Sequence, residues 1–282
     1  MIVFPNAKIN IGLYVTEKRS DGYHNLETIF LPIPIYDALE VVPTDKEHSF
    51  LQVFGKDISG NNADNLVWRS YELLKQDFSS RMKPIGIYLN KAIPMGAGMG
   101  GGSADGTFAL RLFNDFFKLE LDDELLQKYA LKLGSDCPFF VVNKPRLAYG
   151  RGEKLQNIDL NVDFTQYKLL LIHPHLHIST KDAFSFIIPR KAAFDLKEIG
   201  KLPVEIWKEF IVNDFETGFL NTFPEMADLK TLLYELGAVY VSMTGTGSTF
   251  YAIFPKEYSL TIPSELHRYP MQWCHEWTIK NI

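Results

Sequence analysis

The stretch PMGAGMGGGS, Pro94 to Ser103, decides the reading of this chain. Six of the eight residues from Gly96 to Ser103 are glycine or serine: Gly96, Gly98, Gly100, Gly101, Gly102 and Ser103. A packed element has no use for so many glycines. Their value is close backbone approach to a ligand and access to positive φ. On the N-terminal side Ile85, Ile87 and Leu89 alternate as a strand running into Lys91 and Pro94; on the other, Ala104 to Phe117 has the spacing of a buried helix. A glycine loop between a strand and a helix gathers N–H groups at a helix N-terminus, where phosphate binds. A flexible linker is a poor alternative, because linkers do not lie between two periodic elements. Gly96, Gly98 and Gly101 formally satisfy GxGxxG, and Asp122 or Asp123 follows at about the dinucleotide-fold spacing. That acid opens a helix, however, where a dinucleotide fold needs it at a strand end. No GK[ST] closes the loop, so it is not a Walker A motif, and a lysine for an ATP site must come from elsewhere.

Working outward, Ala7, Ile9, Ile11 and Leu13 occupy one face of a first strand, with Asn6, Lys8, Asn10 and Gly12 on the other. Lys18 to His24 is a turn, and strands are predicted over Asn25–Leu31, Ala38–Val42 and Ser49–Phe54. Helices are predicted over Asp64–Phe78, with Asp64 or Asn65 as N-cap, and over Asp122–Leu133, stopped by Gly134. Polar residues collect from Gln156 to Gln166, so the expected domains are 1–158 and 159–282. The second half reads as a strand at Tyr167–His173 and helices at Lys181–Phe186, Val204–Phe215 and Pro224–Leu236. Strands follow at Val239–Met243, Thr249–Phe254 and Trp273–Ile279. This is an α+β order rather than a regular βαβ series.

The 282 residues are 46% hydrophobic, enough for a sizeable core, and the net charge of −5 disfavours general nucleic-acid or membrane-surface binding. Cys137 and Cys274 form no CxxC pair, and no apolar run approaches the ~20 residues of a spanning helix. A cytoplasmic protein without a disulfide framework is expected.

Phosphoryl transfer needs charge neutralisation and, for a hydroxyl acceptor, a base. Lys8 and Asp136 can supply these. Spacing alone favours a solvent-facing edge-strand lysine for Lys8, and Asp136 before Cys137-Pro138 is equally an N-cap.

Three segments share one chain in one order: PNAKINIGLYV (5–15), PMGAGMGGGSAD (94–105) and MTGTGSTF (243–250). Together they resemble the GHMP kinase superfamily, which includes galactokinase, homoserine kinase and mevalonate kinase. DGYHNLETIF (21–30) and LGSDCPFF (133–140) resemble the branch whose acceptor is a cytidine diphosphate derivative of methylerythritol, in the non-mevalonate isoprenoid pathway. The resemblance implies the GHMP kinase fold: an N-terminal ribosomal-protein-S5-domain-2-like α/β domain and a C-terminal ferredoxin-like α+β domain. It implies ATP with Mg²⁺, and Lys8 and Asp136 as the catalytic pair. Pro94 and Gly96, Ala97, Gly98, Met99, Gly100, Gly101, Gly102 and Ser103 would hold the triphosphate, with Asn65 and Lys91 near the adenine and Ser103 a candidate metal ligand. Tyr23 and Phe184 would stack on the cytosine, His24 would bond its edge, and Asn10, Thr180, Thr244, Gly245 and Gly247 would complete the acceptor site. The bland readings of Tyr23, His24 and Phe184 are a turn tyrosine, a satisfied histidine and a core phenylalanine. A monomer or homodimer acting on a small molecule is expected. The alternatives are a homoserine- or mevalonate-class kinase, or a nucleotide-binding homologue without catalysis. The chain departs from the common GLGGGSSNAA at GMGGGSADGT, which puts Asp105 beside the phosphate loop. An acid there repels phosphate unless it points away or meets Mg²⁺. The resemblance assigns no role to Pro189 to Lys201.

Overall fold

The computed structural model describes residues 1–55, 61–176, 178–259, 262–275 and 277. The chain gathers into two compact units that interleave in sequence. The first holds Met1–Lys8, Ile35–Met95 and Gly100–Lys144; the second holds Ile9–Pro34, Gly96–Met99 and the chain from Pro145 onward. The polar tract 156–166, where the sequence suggests a boundary, lies inside the second unit.

In chain order the elements are β1 (Ile2–Val3), β2 (Asn6–Lys18), β3 (His24–Tyr36), β4 (Ala38–Pro43), β5 (Phe50–Gly55), α1 (Leu66–Phe78), β6 (Ile85–Lys91), α2 (Gly101–Phe117), α3 (Asp123–Leu133) and α4 (Cys137–Val142). They continue with β7 (Arg146–Gly150), β8 (Lys154–Asn157), β9 (Tyr167–Ile172), α5 (Thr180–Ser185), α6 (Trp207–Phe210), α7 (Phe215–Thr222), α8 (Glu225–Glu235), β10 (Tyr240–Met243), β11 (Phe250–Pro255) and β12 (Met271–Cys274).

In the first unit the sheet runs β1-β4-β6-β5, antiparallel except for the parallel β5–β6 pair. Ile85, Ile87 and Leu89 alternate inward from β6, and α1 buries Val67, Tyr71 and Leu74, one helical face at i, i+4 and i+7. Leu110, Phe113 and Leu126 of α2 and α3 close the same core. Each such side chain contributes roughly 1.5–3 kcal/mol on burial. Asn65 caps α1 by accepting from Val67 N–H at 2.9 Å, and Asp122 caps α3 by accepting from Leu125 N–H at 2.8 Å. Helix α2 starts three residues earlier than its apolar spacing suggests. Gly101, Gly102 and Ser103 therefore form its first turn.

In the second unit one sheet runs β2-β3-β7-β8, and a second, antiparallel throughout, runs β10-β11-β9-β12. Leu170, Ile172 and Phe250 of that second sheet pack with Phe215, Phe219, Leu229 and Leu233 from α7 and α8. The helix expected over Val204–Phe215 is broken. A 3-10 turn at Val204–Ile206 leads into the four-residue α6, Val212 O accepts from Leu13 N–H at 2.9 Å, and a new helix begins at Phe215. The cause is local competition for the backbone. Asn213 Oδ1 takes the Phe215 N–H at 3.0 Å, and Asp214 Oδ2 takes the Val15 N–H at 2.8 Å. The closing strand expected over Trp273–Ile279 is β12, which ends at Cys274; positions 276, 278 and 279 lie outside the described residues.

Candidate active site

Lys8 does not face solvent. It is 3% exposed, and its Nζ lies 3.7 Å from Asp136 Oδ2. Its alkyl stem runs beneath Gly100, where an added Cβ would sit 3.1 Å from both Lys8 Cγ and Cε. Burial lowers the Lys8 ammonium below its ordinary range, with Asp136 pulling the other way. Asp136 stands at the N-cap position of α4 but makes no cap hydrogen bond. Its backbone is already helical, at φ −82° and ψ −16°, and its carboxylate is one-third exposed. The capping alternative thus fails, and the carboxylate is left beside a buried cation.

The residues of this unit expected to hold phosphate open α2. Gly100 precedes the helix at φ 68°, a left-handed conformation that glycine adopts without strain. A side chain at Gly102 would meet no protein atom within 4 Å, so open space lies at the helix N-terminus. Ser103 lies against the buried Cys137 thiol, which burial pushes up to about 11. Pro94 is half-buried where β6 leads into the loop. Asn65 uses its Oδ1 to cap α1. Lys91 and Asp105 meet each other: Lys91 Nζ donates to Asp105 Oδ2 at 2.6 Å and also to Asp37 Oδ2, and all three residues are buried. Asp105 is therefore matched by the Lys91 ammonium. Burial pushes its carboxyl up to about 7, Lys91 pulling it down and Asp37 pushing it further up. For Lys91 burial acts downward, but the two carboxylates outweigh it and the net shift is upward.

In the second unit the loop residues Gly96, Ala97, Gly98 and Met99 are anchored by burial of Ala97 and Met99. Gly98 meets the glycine turn of Thr244, Gly245 and Gly247: Thr244 Oγ1 donates to Gly98 O at 3.0 Å. A Cβ on Gly98 would fall 2.1 Å from Thr244 O, at a φ of +75°, so only glycine fits. Asn10 is buried and ties to the same turn. Its Oδ1 accepts from Gly245 N–H at 3.0 Å and from Thr244 Oγ1 at 3.2 Å, and its Nδ2 donates to Thr28 Oγ1 at 2.9 Å. Asn213 completes the support, Nδ2 donating to Met243 O at 2.8 Å and Gly245 O at 2.9 Å. Sequence reading missed Asn213 by absorbing it into a helix; the adjacent Asn213-Asp214, both poor helix-interior residues, was the signal.

The aromatic set lies in the same unit. His24, rather than Tyr23, lies on Phe184, with ring centroids 4.6 Å apart and an interplanar angle of 18°. Burial, then Lys18, lowers the His24 pKa. Tyr23 is 56% exposed and carries the Arg151 guanidinium 4.9 Å from its ring centroid. Thr180 is exposed in the first turn of α5.

Residues 65–144 match the GHMP kinases N terminal domain, and 190–268 match the GHMP kinases C terminal domain. A 4-diphosphocytidyl-2-C-methyl-D-erythritol kinase of Bacteroides fragilis is 48% identical over 93% of this chain and 94% of its own. This chain belongs to the GHMP kinases. Within the family, a kinase of the same description from Porphyromonas gingivalis is 40% identical over 98% of both chains. A crystal structure of 4-(cytidine 5'-diphospho)-2C-methyl-D-erythritol kinase superposes with a TM-score of 0.71 at 31% identity, covering 89% of each chain. A mevalonate kinase structure gives 0.75 at 14% identity over 98% and 99%, which speaks for the fold alone. The GHMP kinase described here is an ATP-dependent small-molecule kinase of α+β fold.

Proposed function

We propose that this GHMP kinase transfers the γ-phosphoryl group of ATP to the 2-hydroxyl of 4-diphosphocytidyl-2-C-methyl-D-erythritol, a step in isoprenoid precursor synthesis. The observation that carries the reading is a buried Lys8 set 3.7 Å from a partly exposed Asp136, beside a helix N-terminus with open space in front of it. Asp136 accepts the hydroxyl proton. The acceptor oxygen bonds to the γ-phosphorus as the bond to the ADP oxygen breaks, and ADP leaves. Lys8 holds Asp136 ionised and offsets charge on the moving phosphoryl group. Gly96 to Ser103 supply backbone donors to the triphosphate.

Mg²⁺ bound with the nucleotide would neutralise phosphate charge. Among the described residues no three His, Cys, Asp or Glu side chains are gathered to hold a metal ion. Ser103 Oγ would be the protein ligand of such an ion. Tyr23, His24 and Phe184 form the cytosine site, the aromatic rings offering stacking faces and His24, whose lowered pKa favours the neutral ring, a bond to the base edge. Asn65 and Lys91 would stand near the adenine. The setting is the cytoplasm, as a monomer or homodimer. Net charge −5 supports the absence of nucleic-acid and membrane partners, and among the described residues no helix is long and apolar enough to cross a membrane.

The test is ADP release with the cytidylated methylerythritol, homoserine and mevalonate offered separately. Turnover of the first, inhibited by CDP, is expected. Turnover of another acceptor without CDP inhibition would move the chain to that class. Tight ATP binding without turnover of any acceptor would leave a non-catalytic homologue.

A further inference from the structure

The phosphate-binding end of α2 poses a positional problem. Its first turn is Gly101, Gly102 and Ser103, which offer almost no side chain to pack, and the loop has no GK[ST] lysine. Something else must set where those N–H groups stand. Directly below them lies Lys91, the last residue of β6: a Cβ on Gly101 would sit 3.3 Å from Lys91 Nζ. That ammonium donates to Asp105 Oδ2, one turn into α2, at 2.6 Å, and to Asp37 Oδ2, between β3 and β4. Asp37 in turn accepts from the N–H of Ala92 at 2.5 Å and of Ile93 at 2.8 Å with its other oxygen, and its own N–H donates to Pro5 O at 2.8 Å. Three segments are thus tied through one ammonium: the strand end that enters the loop, the helix that leaves it, and the β3–β4 corner.

The cluster sets one ammonium against two carboxylates, so it adds no net positive charge to the phosphate site. It cannot replace the missing loop lysine electrostatically. Its ammonium is also sealed from solvent and already bonded to both acids, which leaves it badly placed to grip a nucleotide. What the geometry does provide is a fixed position for the first turn of α2.

We propose that Asp37, Lys91 and Asp105 are positioning residues for the phosphoryl donor, holding the N-terminus of α2 at the height where its amides receive the triphosphate of ATP. This rests on the ATP-dependent kinase reading and is independent of which alcohol is phosphorylated. The test is calorimetric binding of ATP, GTP and inorganic tripolyphosphate, without acceptor, to the native chain and to Lys91→Met, Asp105→Leu and Asp105→Asn, each held well below its own melting temperature.

Lys91→Met and Asp105→Leu should weaken ATP and tripolyphosphate by the same factor, about 10-fold or more. The ratio of ATP to GTP affinity should be unchanged, and KM for ATP should rise by a larger factor than kcat falls. Asp105→Asn, which keeps an oxygen for the ammonium, should remain within about threefold of native binding. If Lys91→Met fails to fold, the Asp105 pair decides alone. Native affinity for tripolyphosphate in folded Asp105→Leu overturns the proposal. So does a loss confined to ATP, which would make Lys91 a reader of the base.

Discussion

The first unit holds two lysine–carboxylate groups built in opposite ways. Lys91 meets Asp37 and Asp105 in tight hydrogen bonds, all three side chains are buried, and the carboxylates raise the lysine's pKa. Lys8 is just as buried, but its carboxylate stands 3.7 Å away with one-third of its surface open, and burial lowers the pKa. A buried ammonium bonded to two buried acids is a strut. A partly open carboxylate beside a buried ammonium keeps oxygen lone pairs for a proton donor, the arrangement a general base needs. On the proposed reading the same two residue types serve shape in one place and chemistry in the other, and spacing in the sequence does not separate the two.

The contrast breaks first at Asp136. Asp136→Ala is expected to lower kcat by about 10²- to 10⁴-fold; it removes no helix cap, but it takes the carboxylate from beside the buried Lys8 ammonium, so the melting temperature should fall as well. A near-normal rate would remove the catalytic assignment. Next comes Lys91→Met, which leaves two buried acids unpaired and should cost about 3–5 kcal/mol in a urea melt. The high pKa of Asp105 softens this by letting that acid bind a proton. Lys8→Met, by contrast, leaves behind a carboxylate that is one-third exposed to water rather than two buried ones, and should cost less than Lys91→Met. Equal losses would erase the distinction. A smaller effect, about 1–3 kcal/mol, is expected for Asp37→Asn, which keeps one acceptor oxygen and puts an amide beside an N–H or the ammonium. The subtlest sits in the pH profile. Lys8 is protonated below its folded pKa, and burial has lowered that value from 10.5. Activity is therefore present on the acid side of that pKa and lost as pH rises through it, giving an alkaline limb in kcat below the ordinary lysine position. A limb at about 10.5 would place Lys8 outside the chemistry.

Much of this was legible in the chain. The alternation of Ile85, Ile87 and Leu89, the caps at Asn65 and Asp122 and the glycine stop at Gly134 are local signals, and local physics wrote them. Lys8 and Asp136 were legible only through the company of three motifs. Nothing in the spacing said that a strand lysine would be buried or that an N-cap aspartate would cap nothing. Asp105 was opaque for a clearer reason: its partners stand 14 residues away at Lys91 and farther still at Asp37, and only tertiary structure brings them together. The broken helix at Val204–Phe215 was misread because its apolar period is genuine. Asn213 and Asp214 override it with bonds to Phe215 and Val15, the second of them 199 residues away in sequence.

The burial of both cysteines has a practical consequence. Cys137 and Cys274 are free and shielded, with thiols pushed up to about 11 and about 12, so at neutral pH less than about 0.1% of either is thiolate. The native chain should ignore maleimide reagents. A single Met95→Cys exchange, at a position 50% exposed on the edge of the glycine loop, would then carry the one reactive handle. A dye placed there would report nucleotide arrival by fluorescence, with no need to strip the chain of its own sulfur first.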